Sequence, residues 1–299
     1  MMRFFRVLVF LLCVKISFGQ DDMLAILEAE SDKEVSYVRA TWKSPMLINA
    51  YTTETERKGV LDFKISHRFG DVGGQSGGGH SLFGLDRASN IRFSFDYGVT
   101  EEFQVGIGRS KTNENIDGLL KYKFIKQKKG STPITVVILS NTAFTPKRDP
   151  SGNFTKIAHR FSFINQLVTG SKLNNKFSVL FSLSHFHKNL VVQNVSYNEL
   201  KEENDVFSLG CGMRYRITKK LSFVGEYNHT LGELRNSNKY AYYHPLSCGI
   251  ELETGGHVFH INLSNSSGLI FQDLLDAESD SWGDGEFKLG FRISRFFSL

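Results

Sequence analysis

The sequence predicts an all-β fold, a transmembrane antiparallel β-barrel of about twelve strands. Apolar and polar residues alternate with a period of two from Val60 onward, which is the pattern of half-buried strands. The alternating segments are near the ~10 residues that a tilted membrane strand needs. Short turns and long polar loops connect them in alternation, as in outer-membrane barrels. The 26 Phe and 27 Gly residues suit strands and close-packed barrel walls.

The N-terminus carries a predicted signal peptide over residues 1–19. Arg3 and Arg6 supply a positive start, an apolar run follows, and small residues precede Gln20. A membrane anchor is the weaker interpretation, because the apolar run is too short to cross a bilayer. Cleavage before Gln20 would lower the net charge from +5 to +2, since it removes three positive residues. The basic composition therefore does not argue for a nucleic-acid partner.

Residues 20–48 are predicted to form a periplasmic N-terminal segment ahead of a barrel over residues 49–299. The segment opens with an acidic stretch, residues 21–34, that contains a few apolar residues. One short amphipathic helix and a mobile leader are both compatible with this pattern.

The first part of the barrel shows the alternation in four segments. Their outward-facing apolar residues are Leu61, Phe63 and Ile65; Ile91, Phe93, Phe95 and Tyr97; Phe103, Val105 and Ile107; and Leu120, Tyr122 and Phe124. A fifth segment, residues 134–144, is apolar on both faces, so its phase stays ambiguous. Phase matters because a shift of one residue moves every side chain of a strand to the other face.

The second part of the barrel repeats the pattern in seven segments. Their outward-facing residues include Phe161 and Phe163; Phe181 and Leu183; Leu209 and Cys211; Leu221 and Phe223; Cys248 and Ile250; Phe259 and Ile261; and Leu289 and Phe291. Cys211 and Cys248 fall on the eighth and tenth predicted strands. One strand separates them, so their Cα atoms should lie ~10 Å apart, too far for a disulfide.

The connections predict which end of the barrel faces the cell surface. Short turns stand at residues 100–102, 218–220 and 254–256. Long polar loops cover residues 72–88, 145–156, 187–204, 230–244 and 265–284. Long extracellular loops and short periplasmic turns place both termini in the periplasm when the strand count is even. A soluble β-sandwich also has amphipathic strands. The Gly-, Ser- and charge-rich polar face favours the barrel, as does the aromatic C-terminal strand, a typical signal for the outer-membrane assembly machinery.

Several segments resemble a family of outer-membrane β-barrel proteins of unknown function from the Bacteroidota. They are Asn49–Gly70, which ends in ISHRFG, Phe83–Ala88 (FGLDRA), Phe95–Thr100 (FDYGVT), Val105–Ser110 (VGIGRS) and Asp117–Gln127 (DGLLKYKFIKQ). The resemblance is strongest over the first third of the mature chain. It implies a barrel and an outer-membrane localisation, and it supplies no reaction, ligand or catalytic residue.

Charged residues on the predicted inner face are the candidate functional residues. The lumen-lining candidates are Asp62, Lys64, Arg68, Arg92, Asp96, Asp117, Lys121, Arg160, Arg214, Glu226, Glu251 and Arg292. They fit a solute or selectivity site. They also fit a network of paired charges that fills a narrow barrel, since an unpaired charge away from water is costly. The basic early strands and acidic later strands would give the lumen a transverse field.

Two histidine patterns suggest other chemistry, and the sequence supports neither. His185 and His187 share one strand face, a spacing that can chelate a metal, but no Cys or carboxylate is close in sequence. His260, Asn262 and Ser264 resemble the groups of a hydrolase. Outer-membrane lipases need such groups to face lipid, and the strand phase turns these inward. We therefore predict no catalytic, cofactor-binding or metal-binding residue.

The sequence thus predicts a non-enzymatic outer-membrane barrel that passes or binds small polar solutes, without a cofactor. A structural barrel of a cell-surface complex, with a closed lumen, is the second interpretation, and an outer-membrane hydrolase is the third. The predicted partners are the lipid bilayer, the assembly machinery through the C-terminal strand and a small polar solute. No nucleic-acid partner is predicted.

Overall fold

Twelve antiparallel strands form a closed barrel, in which each strand pairs with its neighbours in chain order and the last strand pairs with the first. The computed structural model describes residues 37–191, 200, 202–237, 241–276 and 280–299. The chain divides into residues 1–37 and residues 38–299, and all twelve strands belong to the second unit. The predicted fold class is confirmed. The predicted signal peptide and residues 20–36 lie outside the described residues.

The strands are long enough to cross a bilayer with a tilt. They are β1 (Val60–Asp71), β2 (Ala88–Gly98), β3 (Phe103–Ser110), β4 (Ile116–Ile125), β5 (Thr135–Phe144), β6 (Phe161–Lys172), β7 (Phe177–Lys188), β8 (Asp205–Arg216), β9 (Leu221–Leu231), β10 (Leu246–Thr254), β11 (His257–Ser264) and β12 (Lys288–Ser298). Short 3-10 helices lie at Gly79–Ser81, Thr112–Glu114 and Ile157–Arg160, and α1 spans Phe271–Leu275. None of the helices in the described ranges is long and apolar enough to cross a bilayer.

The two faces of each strand differ as the alternation predicts. Phe181 on β7 exposes 61% of its surface, whereas its neighbour Ser182 exposes 8%. The same contrast holds on β2 between Phe93 and Arg92, which expose 42% and 6%. Because successive side chains of a strand point to opposite faces, the outside of the barrel is apolar and the inside carries the charges. This is the arrangement of a barrel surrounded by lipid.

The structure resolves the ambiguous phase of β5. Val137 and Leu139 face inward and are almost fully buried, while Ile138 faces outward and is about half exposed. Both faces are apolar because the inward side chains belong to an apolar cluster that includes Trp42 and Leu47. Alternation fails as a signal wherever a barrel wall covers apolar contents instead of water.

Two features of the connections differ from the sequence-based prediction. The β3–β4 connection, residues 111–115, is short although it lies at the end of the long loops. The alternation of short and long connections is therefore not strict. The connection between β11 and β12 begins with residues 265–276, which turn into the barrel, and we call them the inward loop. Its residues Leu269, Ile270 and Leu274 are buried.

The segment before β1 also lies inside the barrel. Residues 41–56, here called the inner segment, are mostly buried. The sequence placed residues 41–48 in a periplasmic segment, whereas the structure packs Trp42, Leu47 and Ile48 against the inward side chains of the wall. Burial of these large apolar side chains stabilises the inner position. The first strand begins at Val60, later than the barrel boundary predicted at residue 49.

The two cysteines of the described region are free thiols. Cys211 lies on β8, Cys248 lies on β10, and β9 separates them: Tyr227 pairs with Cys211 and Gly225 pairs with Cys248. Their positions agree with the strand order predicted from the sequence, and that order keeps them apart.

Candidate lumen site

The structure brings most of the predicted lumen-lining residues together inside the barrel. The side chains that face inward and are buried are those of Asp62, Lys64, Arg68, Arg92, Asp96, Asp117, Lys121, Arg214, Glu226, Glu251 and Arg292. Arg160 is the exception, since it ends a 3-10 helix before β6 and is only half-buried. Its guanidinium donates to the carbonyl oxygens of Thr145 and Lys147. Arg160 therefore holds an outer loop and does not line the lumen.

Several inward charges neutralise each other across neighbouring strands. The Lys64 ammonium contacts the Asp62 carboxylate at 3.1 Å and also the carboxylate of Asp96. Arg92 and Asp117 form a two-bond pair between β2 and β4, with Nη2 at 2.9 Å from Oδ2. Pairing offsets part of the desolvation cost of these charges. Such pairs are what a network of paired charges in the lumen predicts.

Arg214 and Glu251 form another buried pair. The Nε atom of Arg214 on β8 lies 2.8 Å from Oε1 of Glu251 on β10. On the intervening β9, Val224 pairs with Arg214 and Ser222 pairs with Glu251. The side chains of Arg214 and Glu251 therefore meet across β9 on the inner face of the barrel. The result is a second internally balanced pair in the wall, beside Arg92 and Asp117.

Glu226 on β9 has a different kind of partner. Its carboxylate accepts hydrogen bonds from the backbone N–H groups of Ile48 at 3.1 Å, Asn49 at 2.8 Å and Ala50 at 3.0 Å. The side-chain amide of Asn49 adds a fourth donor at 2.7 Å. Successive backbone N–H groups in a turn form a concave anion site. Glu226 therefore binds the inner segment through its backbone.

A tight turn explains why these N–H groups converge. The Leu47 N–H donates to the Ala50 carbonyl at 2.8 Å, and the Thr52 N–H donates to the Pro45 carbonyl at 2.9 Å. Met46 and Tyr51 pair as an isolated bridge below the turn. The bonds at the base of the turn leave the N–H groups at its tip without intrasegment partners, so a wall carboxylate can satisfy them.

Arg292 on β12 binds the other side of the same turn. Its guanidinium donates to the carbonyl oxygens of Ile48 at 2.9 Å, Met46 at 2.9 Å and Leu47 at 2.7 Å. A planar guanidinium with five donors is suited to several acceptors in one plane. Glu226 and Arg292 thus clamp the turn, one through N–H groups and the other through carbonyl groups.

Two more wall cations bond to the inner segment. Arg68 donates to the Oδ1 atom of Asn49 at 2.9 Å, and Lys121 donates to the carbonyl oxygen of Pro45 at 3.2 Å. Lys121 also reaches the carbonyl oxygen of Glu54. Carbonyl dipoles therefore take the place of carboxylate partners for these cations. The strand pattern predicts the cations but not the inner segment, whose only signal in the sequence is a run of large apolar residues before the first strand.

The histidine patterns have other roles in the structure. His260, Asn262 and Ser264 face inward, where Arg68 binds Asn262 and Arg292 lies 3.0 Å from His260. His185 and His187 face outward, and each lies within 2.8 Å of an Asp205 carboxylate oxygen. Among the described residues, no group of three His, Cys, Asp or Glu side chains is arranged to hold a metal ion.

Comparison with known proteins places the barrel in a family. A family model described as a membrane bound beta barrel domain (DUF5777) matches residues 42–297. The match begins at Trp42, so it includes most of the inner segment. Closed antiparallel barrels of even strand number are an outer-membrane architecture, and the predicted localisation is confirmed. No curated protein matches the chain in a sequence search.

Solved structures of similar architecture include two porins and an outer membrane channel. The NanC porin is 12% identical, with 80% of this chain and 100% of that chain covered and a TM-score of 0.48. The KdgM porin is 8% identical, with coverages of 80% and 99% and a TM-score of 0.44. An outer membrane channel from Pseudomonas putida F1 is 13% identical, with coverages of 82% and 98% and a TM-score of 0.44. Sequence identities and TM-scores this low say nothing about what the chain binds.

Proposed function

This chain belongs to the DUF5777 family of membrane-bound β-barrel domains, and on that premise we propose that it passes or binds small polar solutes and is not an enzyme. The observation that carries the proposal is the attachment of the inner segment to charged wall residues through its backbone. Glu226 and Arg292 together bond to six backbone groups of residues 46–50. Such an attachment can be released without unfolding the wall.

The interior of the barrel has room for a solute path once the inner segment leaves. Side chains alone fill the interior of barrels of roughly eight strands, and wider barrels enclose ligands or water. This barrel has twelve strands, and its contents come from the inner segment and the inward loop. Release of the inner segment would expose Arg68, Lys121, Glu226 and Arg292 to water, as in the polar lumen of a channel.

Single-channel recording of the purified full-length protein in planar bilayers tests the proposal. Glu226→Gln keeps the shape of the side chain and removes the charge that binds the turn, so we expect a higher open probability than in the wild type. Loss of a charged hydrogen-bond acceptor typically costs about 1.5–3 kcal/mol, enough for a tenfold change or more. Glu233→Gln makes the same charge change in an exposed outer loop and should behave like the wild type.

Two results would overturn solute passage. One is a wild-type protein and a Glu226→Gln variant that both stay non-conducting over the accessible voltage range. The other is the absence of swelling in liposomes that contain the Glu226→Gln variant and small sugars. Folded protein for both assays is recognised by its heat-modifiable mobility on a gel.

The second candidate function is a structural barrel with a permanently closed lumen. A specific observation favours it: the interior is occupied from both ends. Ala50 at the tip of the inner segment joins Phe271, Leu274 and Leu275 of the inward loop in one buried apolar cluster. A wild-type protein and a Glu226→Gln variant that are both non-conducting are the outcome that this candidate predicts.

Two features of the sequence bear on the source of the protein and on the assembly of the barrel. We infer a Bacteroidota source from the segments that resemble that family. We also infer that the assembly machinery recognises β12, whose end carries Phe296 and Phe297. An aromatic C-terminal strand is the feature that supports this role.

A further inference from the structure

A cavity of about 460 Å³ opens at the end of the barrel that carries the long loops. Its walls include the β3–β4 connection, the β5–β6 loop, the outer end of β7 and α1 of the inward loop. Cavities of roughly 300–1,000 Å³ accommodate small molecules. The cavity is separate from the Glu226–Arg292 clamp, because neither residue lines it.

Two side chains that line the cavity carry buried oxygen atoms that lack a hydrogen-bond partner among the described residues. The Gln272 side chain is held by its amide nitrogen, which donates to the Asn141 carbonyl at 3.2 Å and side chain at 2.6 Å. Its Oε1 atom is buried and receives no hydrogen bond from any described residue. Oδ2 of Asp273 is in the same state, while its Oδ1 accepts from Asn113 and Asn115. Buried polar atoms without partners are costly, and a ligand in the cavity that donates to them would remove that cost.

The electrostatic environment of Asp273 also favours a ligand that carries a cationic group. Burial raises the pKa of the Asp273 carboxyl to about 8, and the neighbouring Asp276 and Asp117 carboxylates add to the rise. The Arg92 guanidinium opposes the rise but is already paired with Asp117. A cationic group of a ligand beside Oδ2 would stabilise the carboxylate and lower this pKa.

Two basic side chains stand on the β5–β6 loop at the cavity, whose lining also includes the acidic Asp149, Glu202 and Asp276. Lys147 and Arg148 are exposed on the β5–β6 loop, and neither forms an ion pair with an acidic side chain in the described part of the chain. Arg160 anchors the loop below them through its bonds to the carbonyls of residues 145 and 147 and through its stacking on Phe154 at 4.6 Å. The loop therefore presents two available positive charges from a fixed base.

From Gln272 and Asp273 on one side and the positive charges of Lys147 and Arg148 on the other, we propose that the cavity binds a small zwitterionic solute. Its ammonium and hydroxyl groups would donate to Gln272 and Asp273, and its anionic group would meet Lys147 and Arg148. The binding of a zwitterionic solute goes beyond solute passage. It rests on the proposed function only for the premise that small polar molecules reach the barrel. α1, which forms the floor, packs its Phe271 and Leu274 into the cluster that contains Ala50 of the inner segment, so a bound solute would contact the helix that touches the tip of that segment.

Isothermal titration of the purified full chain in detergent tests the site with glucosamine 6-phosphate as the probe. Glucosamine lacks the anionic group and glucose 6-phosphate lacks the ammonium group, so each should bind at least tenfold more weakly. Arg148→Ala should weaken only the phosphate-bearing probes, and Asp273→Asn only the amine-bearing probes. Lys176→Ala, an exposed change at the opposite end of the barrel, is the matched control.

A second readout separates a direct role of Asp273 from a structural one. Binding of an ammonium group lowers the pKa of Asp273, so the wild type should release a proton to buffer at pH 7 that Asp273→Asn does not release. Measurement in two buffers of different ionisation enthalpy detects that proton. No binding of the three probes at millimolar concentration would overturn the proposal, as would unchanged affinities in both variants that retain heat-modifiable mobility. Conductance does not enter this test, so its failure leaves the Glu226 experiment intact.

Discussion

At the scale of single residues, the charges of the barrel wall divide by the partner that neutralises them. Arg92 and Asp117 satisfy each other within the wall, so their cost of burial is met locally. Glu226 and Arg292 instead bond to the backbone of the inner segment. The strand pattern predicted that all four face inward. It could not predict the division, because backbone donors and acceptors leave no trace in residue identity.

The lipid-facing phase is tested by a substitution of Phe181. Phe181→Arg places a charge on the apolar outer face of β7, where Phe181 is 61% exposed. An Arg near the bilayer midplane costs ~2–4 kcal/mol, so we expect a large loss of folded, heat-modifiable barrel. Phe181→Leu keeps an apolar side chain and should assemble normally. Equal yields of folded protein from the two variants would contradict the assignment of this face to lipid.

At the scale of elements, the inner segment is the part of the fold that sequence periodicity describes least. It has neither a helical nor a strand period, and only the isolated bridge between Met46 and Tyr51 lies within it. Its position depends on Trp42 and Leu47 meeting inward-facing wall residues such as Val137. Those contacts join parts of the chain far apart in sequence, so no local pattern contains them.

A disulfide between the inner segment and β6 tests whether the segment must move. An added Cβ at Gly170 would lie 3.0 Å from Oγ1 of Thr53, which makes Thr53→Cys with Gly170→Cys a suitable pair. We expect the oxidised double variant to show a strongly reduced open probability in bilayers, and reduction to restore it. The native Cys211 and Cys248 should be replaced by Ser in this background. Unaltered channel activity in the cross-linked protein would mean that solutes pass without displacement of the segment.

At the scale of the whole molecule, the barrel encloses two sets of contents that meet inside it. The inner segment enters from the end of the termini, and the inward loop enters from the end of the long loops. Ala50 and α1 share an apolar cluster with Ile164 and Val206 of the wall. A polar lumen wall that is covered by segments of the same chain combines features of a channel and of a closed barrel. Whether the barrel conducts or stays closed depends on the whole molecule and on no single strand.

Charge selectivity is the expected whole-molecule consequence of opening. Arg68, Lys121 and Arg292 bond to the inner segment, and the Glu226 carboxylate is the acidic side chain of the clamp. Removal of the segment would leave an excess of positive charge along the path, because Arg92–Asp117 and Arg214–Glu251 are balanced and Lys64 with Asp62 and Asp96 offsets only one positive charge. We expect a reversal potential that indicates anion preference in a KCl gradient. Arg292→Gln should reduce that preference, and a cation-selective pore would refute an open lumen of this charge.

The sequence by itself determined the barrel, the face of most strands and the inward position of eleven charged candidates. These features repeat with a period of two along single strands, and lipid outside with polar contents inside imposes that period. The tertiary structure alone decided the phase of β5, the place of Arg160 in an outer loop, and the burial of residues 41–56 and 265–276. Each of these depends on what lies across the barrel, where side chains from distant parts of the chain replace water. Where the chain itself fills the lumen, the wall residues that face this filling are apolar. The filling is visible only in the closed fold.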